Sequence, residues 1–326
     1  MGISKTRILW VDFLRIMAAF ILVVQHGSQH GVNFVVPRNT LVLCLWDHSI
    51  VPLFFLFSGY FVRPSQSWLA WRRFSFLLIP YVIWCVVAAL VFFWGEGLFI
   101  SPGFWGCALG IRDAHPFNGP LWFLEVLMLL ALVSPVLSRI KTVGLQTIAL
   151  SLFLLREENI ACVPAVHVSG VAFYLLGMVL GRNPWVFEKV RSYAPLIFCI
   201  LFVFGLAETF RESFRESYQR GTAGLICGCL FYVSMAFVAE KYAAPLFVFL
   251  ARFGKYACFV YATHFIVIKV VGENLCRIVS EPWVSAFCTI FPFALVAAQV
   301  LVCRAGERWV PRLMPYLALV KPEKGS

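Results

Sequence analysis

One stretch, Arg7 to His26 (RILWVDFLRIMAAFILVVQH), limits what this chain can fold into more than any other. It is long and apolar enough to cross a bilayer, because about 20 residues rising about 1.5 Å each match a hydrocarbon core of about 30 Å. It nevertheless carries Asp12, Arg15 and His26. At about 100° per residue, the steps from Arg15 to His26 return to within about 20° of one direction, and Asp12 lies one turn before Arg15, so the three share a face. Ionisable groups in a spanning helix cost about 2.5–3.5 kcal/mol or more each unless paired or hydrated, and by default they mark a functional path. A structural Asp12–Arg15 pair beside a packed histidine is the plain alternative, and it leaves His26 without a reason. The basic start, Lys5 and Arg7, would suit a signal peptide. However, charges interrupt the apolar region and no small-residue cleavage site follows, so a retained helix is expected.

Composition extends this reading to the whole chain. With 61% hydrophobic and 13% charged residues, a chain of 326 cannot hide its apolar side chains in a soluble core. The expected class is therefore all-α: a polytopic membrane helix bundle forming a single domain over 1–326. Ten apolar runs are candidate spans: 8–28, 42–62, 74–94, 120–138, 143–155, 164–182, 194–208, 221–239, 256–274 and 284–303, followed by a basic tail over 304–326. The net charge of +11 lies in short loops between these runs, which speaks for the positive-inside rule and against a nucleic-acid partner. With the N-terminus inside, eighteen Lys and Arg fall on the inner side and seven on the outer, so both termini are expected in the cytoplasm. The eleven cysteines are scattered singly through apolar segments and read as small core residues. A metal site at His26 and His30 lacks an evident third ligand, and no metal is expected.

Depth separates the polar groups. Counting from Ile8, Asp12 and Arg15 lie about 6 and 10 Å from the inner surface and His26 about 27 Å away, near the outer side. The second run descends, which puts Asp47 and His48 in its outer half and Ser58, followed by Gly59 and Tyr60, about 6 Å from its inner end. The small Ser58-Gly59 step permits close approach of a neighbouring helix or of a thin, extended ligand. Arg63 and then Trp71-Arg72-Arg73 form a basic cluster at the cytoplasmic mouth, a plausible seat for phosphates as well as an ordinary topology signal. Trp122 and Glu125 begin the fourth run at a depth that matches His26. In the ninth run, Tyr261 and His264 sit mid-membrane, where a lone histidine is more often a hydrogen-bonded core residue than a catalyst. Two outer loops stand out. Residues 95–119, rich in Pro and Gly, read as a folded or half-inserted segment. Residues 208–220 read as a short amphipathic helix, an interfacial anchor or a lid.

Taken together, Arg7, Asp12, Arg15 and His26 with the Arg-x10-His spacing, FFLFSGY at 54–60, WRRFSFLLIP at 71–80, PLWFL at 120–124 and YATH at 261–264 resemble the acyltransferase-3 family of membrane acyltransferases. That family includes bacterial O-acetyltransferases of surface polysaccharides and lipid-linked glycans, so the resemblance implies a bacterial inner-membrane protein. It also implies an acyl-CoA donor, acetyl-CoA above all, entering from the cytoplasm. The acceptor would be a glycan or lipid-linked saccharide, with essential residues at His26 and Arg15 and donor-holding arginines after the second span. Some members have an Arg-x-x-Arg there and a fused extracytoplasmic domain; here Arg72 and Arg73 are adjacent and no added domain is expected.

The residues agree with that direction. Acyl transfer to a hydroxyl needs a base, and neutral imidazole has a suitable pKa. His26 is the candidate, either as base or as acyl carrier, with Arg15 and Asp12 beside it. Arg63, Arg72, Arg73, Ser58 and Tyr60 are donor-binding candidates. Asp47, Trp122, Glu125, Tyr261 and His264 are supporting candidates, Asp47 or Glu125 supplying an orienting carboxylate for His26. A transporter or flippase for a lipid-linked glycan would also use buried charges, but no internal repeat relates the two halves. A scaffold subunit of a polysaccharide synthase would need neither the His26 face nor the basic mouth. Sequence leaves the oligomeric state open.

Overall fold

The computed structural model describes residues 8–29, 45–62, 67–93, 121–157, 165–210, 221–272 and 281–318. No strand occurs among them, and the helices run in chain order. They are α1 (Leu9–Gln29), α2 (Ile50–Tyr60), α3 (Ser67–Phe93), α4 (Trp122–Leu137), α5 (Thr142–Glu157), α6 (Ala165–Arg182), α7 (Trp185–Ser192) and α8 (Ala194–Phe210). They continue as α9 (Thr222–Tyr242), α10 (Ala244–Ala251), α11 (Ala257–Val267), α12 (Glu281–Trp309) and α13 (Met314–Ala318).

Each of the ten expected runs holds helix, but not each holds a full span. Five stretches among the described residues are long and apolar enough to cross a membrane: Leu9–Gly27, Ala70–Val91, Thr222–Tyr242, Ala244–Val271 and Ile290–Trp309. A sixth results if α7 and α8, bent by 71°, count as one. The helices over Trp122–Leu137, Thr142–Arg156 and Val168–Arg182 are shorter. Together these helices make an integral, multi-pass membrane protein.

Helix α1 is central and largely buried. Trp10, near its start, meets Phe57 of α2 at 5.4 Å between ring centroids, and Phe187 of α7 and Phe237 of α9 at 5.2 Å each. Aromatic pairs of this kind contribute about 0.5–1.5 kcal/mol each beyond burial, so one side chain fastens three helix ends to α1.

The tightest helix contact joins α2 to α6 and is made by glycine. A Cβ on Gly59 would overlap the Tyr174 carbonyl, and one on Gly177 or Gly181 would overlap the backbone of Leu56 or Tyr60. Gly177 and Gly181 form a Gly-x-x-x-Gly pair, the spacing that aligns two gaps on one helix face. The Ser58-Gly59 step is thus used for close helix approach at Gly59, while the Ser58 hydroxyl donates to the Phe54 carbonyl at 2.8 Å within its own helix. Arg182 closes the same corner by donating to the Ser138 carbonyl at 2.8 Å and the Ile140 carbonyl at 2.7 Å, satisfying acceptors at the C-terminal end of α4.

Two expectations about local structure are corrected. Asp47 and His48 do not lie inside the second helix; with Ser49 they form a 3-10 turn ahead of α2. Trp46 before it adopts a left-handed backbone with φ 65°. Such a conformation is costly for a bulky residue, and here packing holds it: Trp46 is buried and its indole N–H donates to the Leu201 carbonyl at 3.2 Å. Trp71, Arg72 and Arg73 are not loop residues either. Helix α3 starts at Ser67, ahead of the first strongly apolar run, since nothing in Ser67–Phe74 breaks a helix. At the other end of the chain, α12 continues through Arg304 to Trp309.

Candidate active site

The polar face of α1 is turned toward the segment from Gly254 to His264. At its lower end the Asp12 backbone lies so close to Gly254 that a Cβ there would overlap it. Asp12 is 5% exposed, and its carboxylate accepts from the Arg15 guanidinium at 3.2 Å. The Arg15 side chain is 42% exposed and lies within electrostatic range of Cys258 on α11. A guanidinium held from one side by a buried carboxylate keeps donors for a second, anionic or carbonyl, partner.

Farther along the same face, His26 Nδ1 and His264 Nε2 share a hydrogen bond of 2.7 Å. The two rings meet edge to edge, with centroids 5.0 Å apart and 24° between planes. His264 is fully buried, and its Nδ1 donates to the Tyr261 carbonyl at 2.6 Å, one turn back in α11. Phe265 presents its edge to His26 at 6.4 Å, and the Lys269 ammonium lies 5.8 Å from the Phe265 centroid on its other approach. Tyr261 contacts Phe123 at 5.2 Å and Phe54 at 6.2 Å, so α11, α4 and α2 converge on the paired imidazoles. After Val267 the helix changes to a π-helical turn over Ile268–Gly272, an irregularity frequent at functional sites.

The structure thus brings together four residues singled out by sequence: His26, His264 and Tyr261 in one cluster, and Arg15 on the same face about 16 Å below His26. Among the supporting carboxylates, Glu125 accepts a short hydrogen bond from the Tyr81 hydroxyl of α3, and Asp47 lies 3.6 Å from His48 Nε2. One partner of His26 is the His264 imidazole. Trp122 packs on Phe55 at 6.1 Å, a supporting contact behind Phe123. Sequence reasoning kept His264 as a supporting candidate while favouring a core residue hydrogen-bonded in place, and it missed the contact with His26. The side chain is buried and hydrogen-bonded, both to its own helix and across the bundle to His26. A local hint was available in Thr263-His264, two polar side chains in succession within an apolar helix; Thr263 also receives a hydrogen bond from Gln299 of α12 at 2.6 Å.

The donor-side candidates separate. Arg72 is exposed, whereas Arg73, one step around the helix, is half-buried and within electrostatic range of the Tyr174 hydroxyl on α6. Tyr60 packs on Phe187 at 5.1 Å beneath the glycine contact. Arg63, His30 and the loops at 95–119 and 211–220 lie outside the described residues.

Chemically, the cluster offers a half-buried imidazole positioned by a second one, in a wall of aromatic rings, with a cationic donor group on the same helix. This arrangement can take a proton from a hydroxyl or accept a transferred group, and it excludes bulk water from one side. The family model for the acyltransferase-3 family, described as an acyltransferase domain, matches residues 8–303. No curated protein and no solved structure matches the chain.

Proposed function

The chain belongs to the acyltransferase-3 family, and from that premise we propose that it is a membrane-embedded O-acyltransferase of the bacterial inner membrane. It takes an acyl group, acetyl above all, from a cytoplasmic acyl-CoA and delivers it to a hydroxyl of a surface or lipid-linked glycan. In this proposal both termini are cytoplasmic, as the excess of inner Lys and Arg favours, which leaves the His26 end of α1 facing outward. The observation that carries the reading is the His26–His264 hydrogen bond at the far end of the same helix face that holds Arg15. A transporter path has no need of a histidine fixed in this way by a second one.

In this reading His26 removes the proton as the acceptor oxygen attacks the thioester carbonyl, the carbon–sulfur bond breaks, and the proton passes to the departing thiolate. Arg15, still donor-rich beside Asp12, faces the path between the inner surface and His26 and can hold an amide carbonyl of the pantetheine arm along that path. Arg73 and, where it reaches, Arg72 hold the phosphates of the nucleotide end, as bidentate guanidinium contacts do elsewhere. The aromatic wall of Phe54, Phe123 and Tyr261 excludes water that would otherwise hydrolyse the thioester.

The test is release of free thiol from acetyl-CoA by the purified protein, with and without candidate glycans, compared with His26→Ala. Glycan-dependent release that disappears in the variant is the expected result; no release under any condition would favour a transport role. Orientation is tested separately: externally added thiol reagents should label cysteines introduced near Arg112 and Arg215 but not near Arg72 or Lys189.

A further inference from the structure

We infer that His264 is a positioning residue that sets the tautomer of His26 and leaves His26 Nε2 as the reacting atom. The inference deepens the acyl-transfer reading and rests on it. A carbonyl oxygen can only accept, so the 2.6 Å contact to Tyr261 places hydrogen on His264 Nδ1. In the neutral ring the other nitrogen, Nε2, then carries the lone pair, and it accepts the hydrogen bond at 2.7 Å from His26. His26 Nδ1 must therefore hold hydrogen, and its Nε2 carries the basic lone pair. Three groups in a row, a backbone carbonyl and two imidazoles, determine the protonation pattern of the last.

Two further observations show that the arrangement is built. His264 is fully buried, so water does not compete for its nitrogens. The ring planes lie within 24° of each other with centroids 5.0 Å apart, so the rings meet edge to edge and the N–H···N hydrogen bond lies close to both ring planes, where the lone pair of His264 Nε2 points. During transfer the acceptor hydroxyl proton moves to His26 Nε2 and the oxygen bonds to the acyl carbon. Positive charge on His26 is shared through Nδ1–H with His264 Nε2. When the carbon–sulfur bond breaks, the Nε2 proton goes to the thiolate, and both rings return to their starting state with no net gain or loss of protons. A second imidazole thus takes the place that a carboxylate holds in the familiar triad: it orients the base and stabilises its charged form.

Three substitutions test this. His264→Leu keeps bulk but removes the acceptor. His264→Gln can still offer an amide oxygen at the distance of Nε2, whereas His264→Asn reaches only toward the Tyr261 carbonyl. Turnover of acetyl-CoA should fall about 10²–10³-fold in the Leu and Asn proteins, but stay within about tenfold of native in the Gln protein. KM for acetyl-CoA should be nearly unchanged in all three, because the effect lies in the chemical step. Should His264→Leu fail to fold, the Gln and Asn proteins decide by themselves. Native turnover in His264→Asn, or equal losses in Gln and Asn, would overturn the positioning role. Absence of thiol release by the native protein would instead overturn the acyl-transfer reading on which it rests.

Discussion

The contact of α2 with α6 and that of α1 with α11 are both close helix approaches, yet they are made of opposite materials. The first has glycines at 59, 177 and 181 against the backbone atoms of Tyr174, Leu56 and Tyr60. The second sets Asp12, Arg15 and His26 along Gly254, Cys258 and His264. In a bilayer, apolar surface gains little by leaving lipid, so helices associate through dispersion at short range, and the glycine contact does this without any polar cost. The α1–α11 contact carries that cost and offsets it with an ion pair and an imidazole pair. The difference teaches that stability and chemistry are assigned to separate seams of the bundle, and they should respond separately to substitution.

The largest expected effect is on the polar seam. His26→Ala should lower turnover by about 10²–10⁴ or more while nucleotide-end binding and the melting temperature stay near native values. A variant that loses donor binding as fully as activity would break the separation. On the glycine seam, Gly177→Leu should destabilise the protein by about 1–3 kcal/mol or more, because the added atoms meet Leu56 backbone that has no rotamer to give way. Thermal melting in detergent should show the loss, and the fraction that remains folded should turn over at the native rate. The donor arginines sharpen the comparison at smaller scale. Arg73→Ala should weaken acetyl-CoA binding about tenfold, the size of one charge-assisted hydrogen bond, and Arg72→Ala by less, as measured by calorimetric titration. Equal effects would mean that the half-buried and exposed positions serve the donor alike. Smallest of all, Gly144→Ala in α5 meets the Ile140 γ2 methyl at 2.8 Å, a clash with a stiff β-branched side chain that offsets the gain in helix propensity, so the stability read from thermal melting should change by no more than about 1 kcal/mol.

Much of this was legible in the chain itself. The apolar runs located the helices, because a membrane helix is read from its own residues and needs no partner to be recognised. The shared face of Asp12, Arg15 and His26 followed from helical period alone. The start of α3 was misplaced because Trp71, Arg72 and Arg73 look like an interfacial loop by hydropathy but are good enough helix formers to extend the helix backward. Asp47 and His48 were placed in a helix because nothing local announces a left-handed tryptophan; its conformation is enforced by Leu201 and its other neighbours in the bundle.

What the sequence by itself determined is the class of protein and the polar face of α1 that carries Asp12, Arg15 and His26. Only the tertiary structure decided what stands opposite His26. His26 and His264 are 238 positions apart, and periodicity reports which way a side chain points from its own helix, not which helix stands opposite. Depth arguments suggested Asp47 and Glu125 because several groups share a level in the bilayer. That His264 meets His26 depends on how α1 packs against its neighbours: Gly254 admits the backbone of α1 to the foot of α11, and the two histidines lie within hydrogen-bonding distance farther along the same contact.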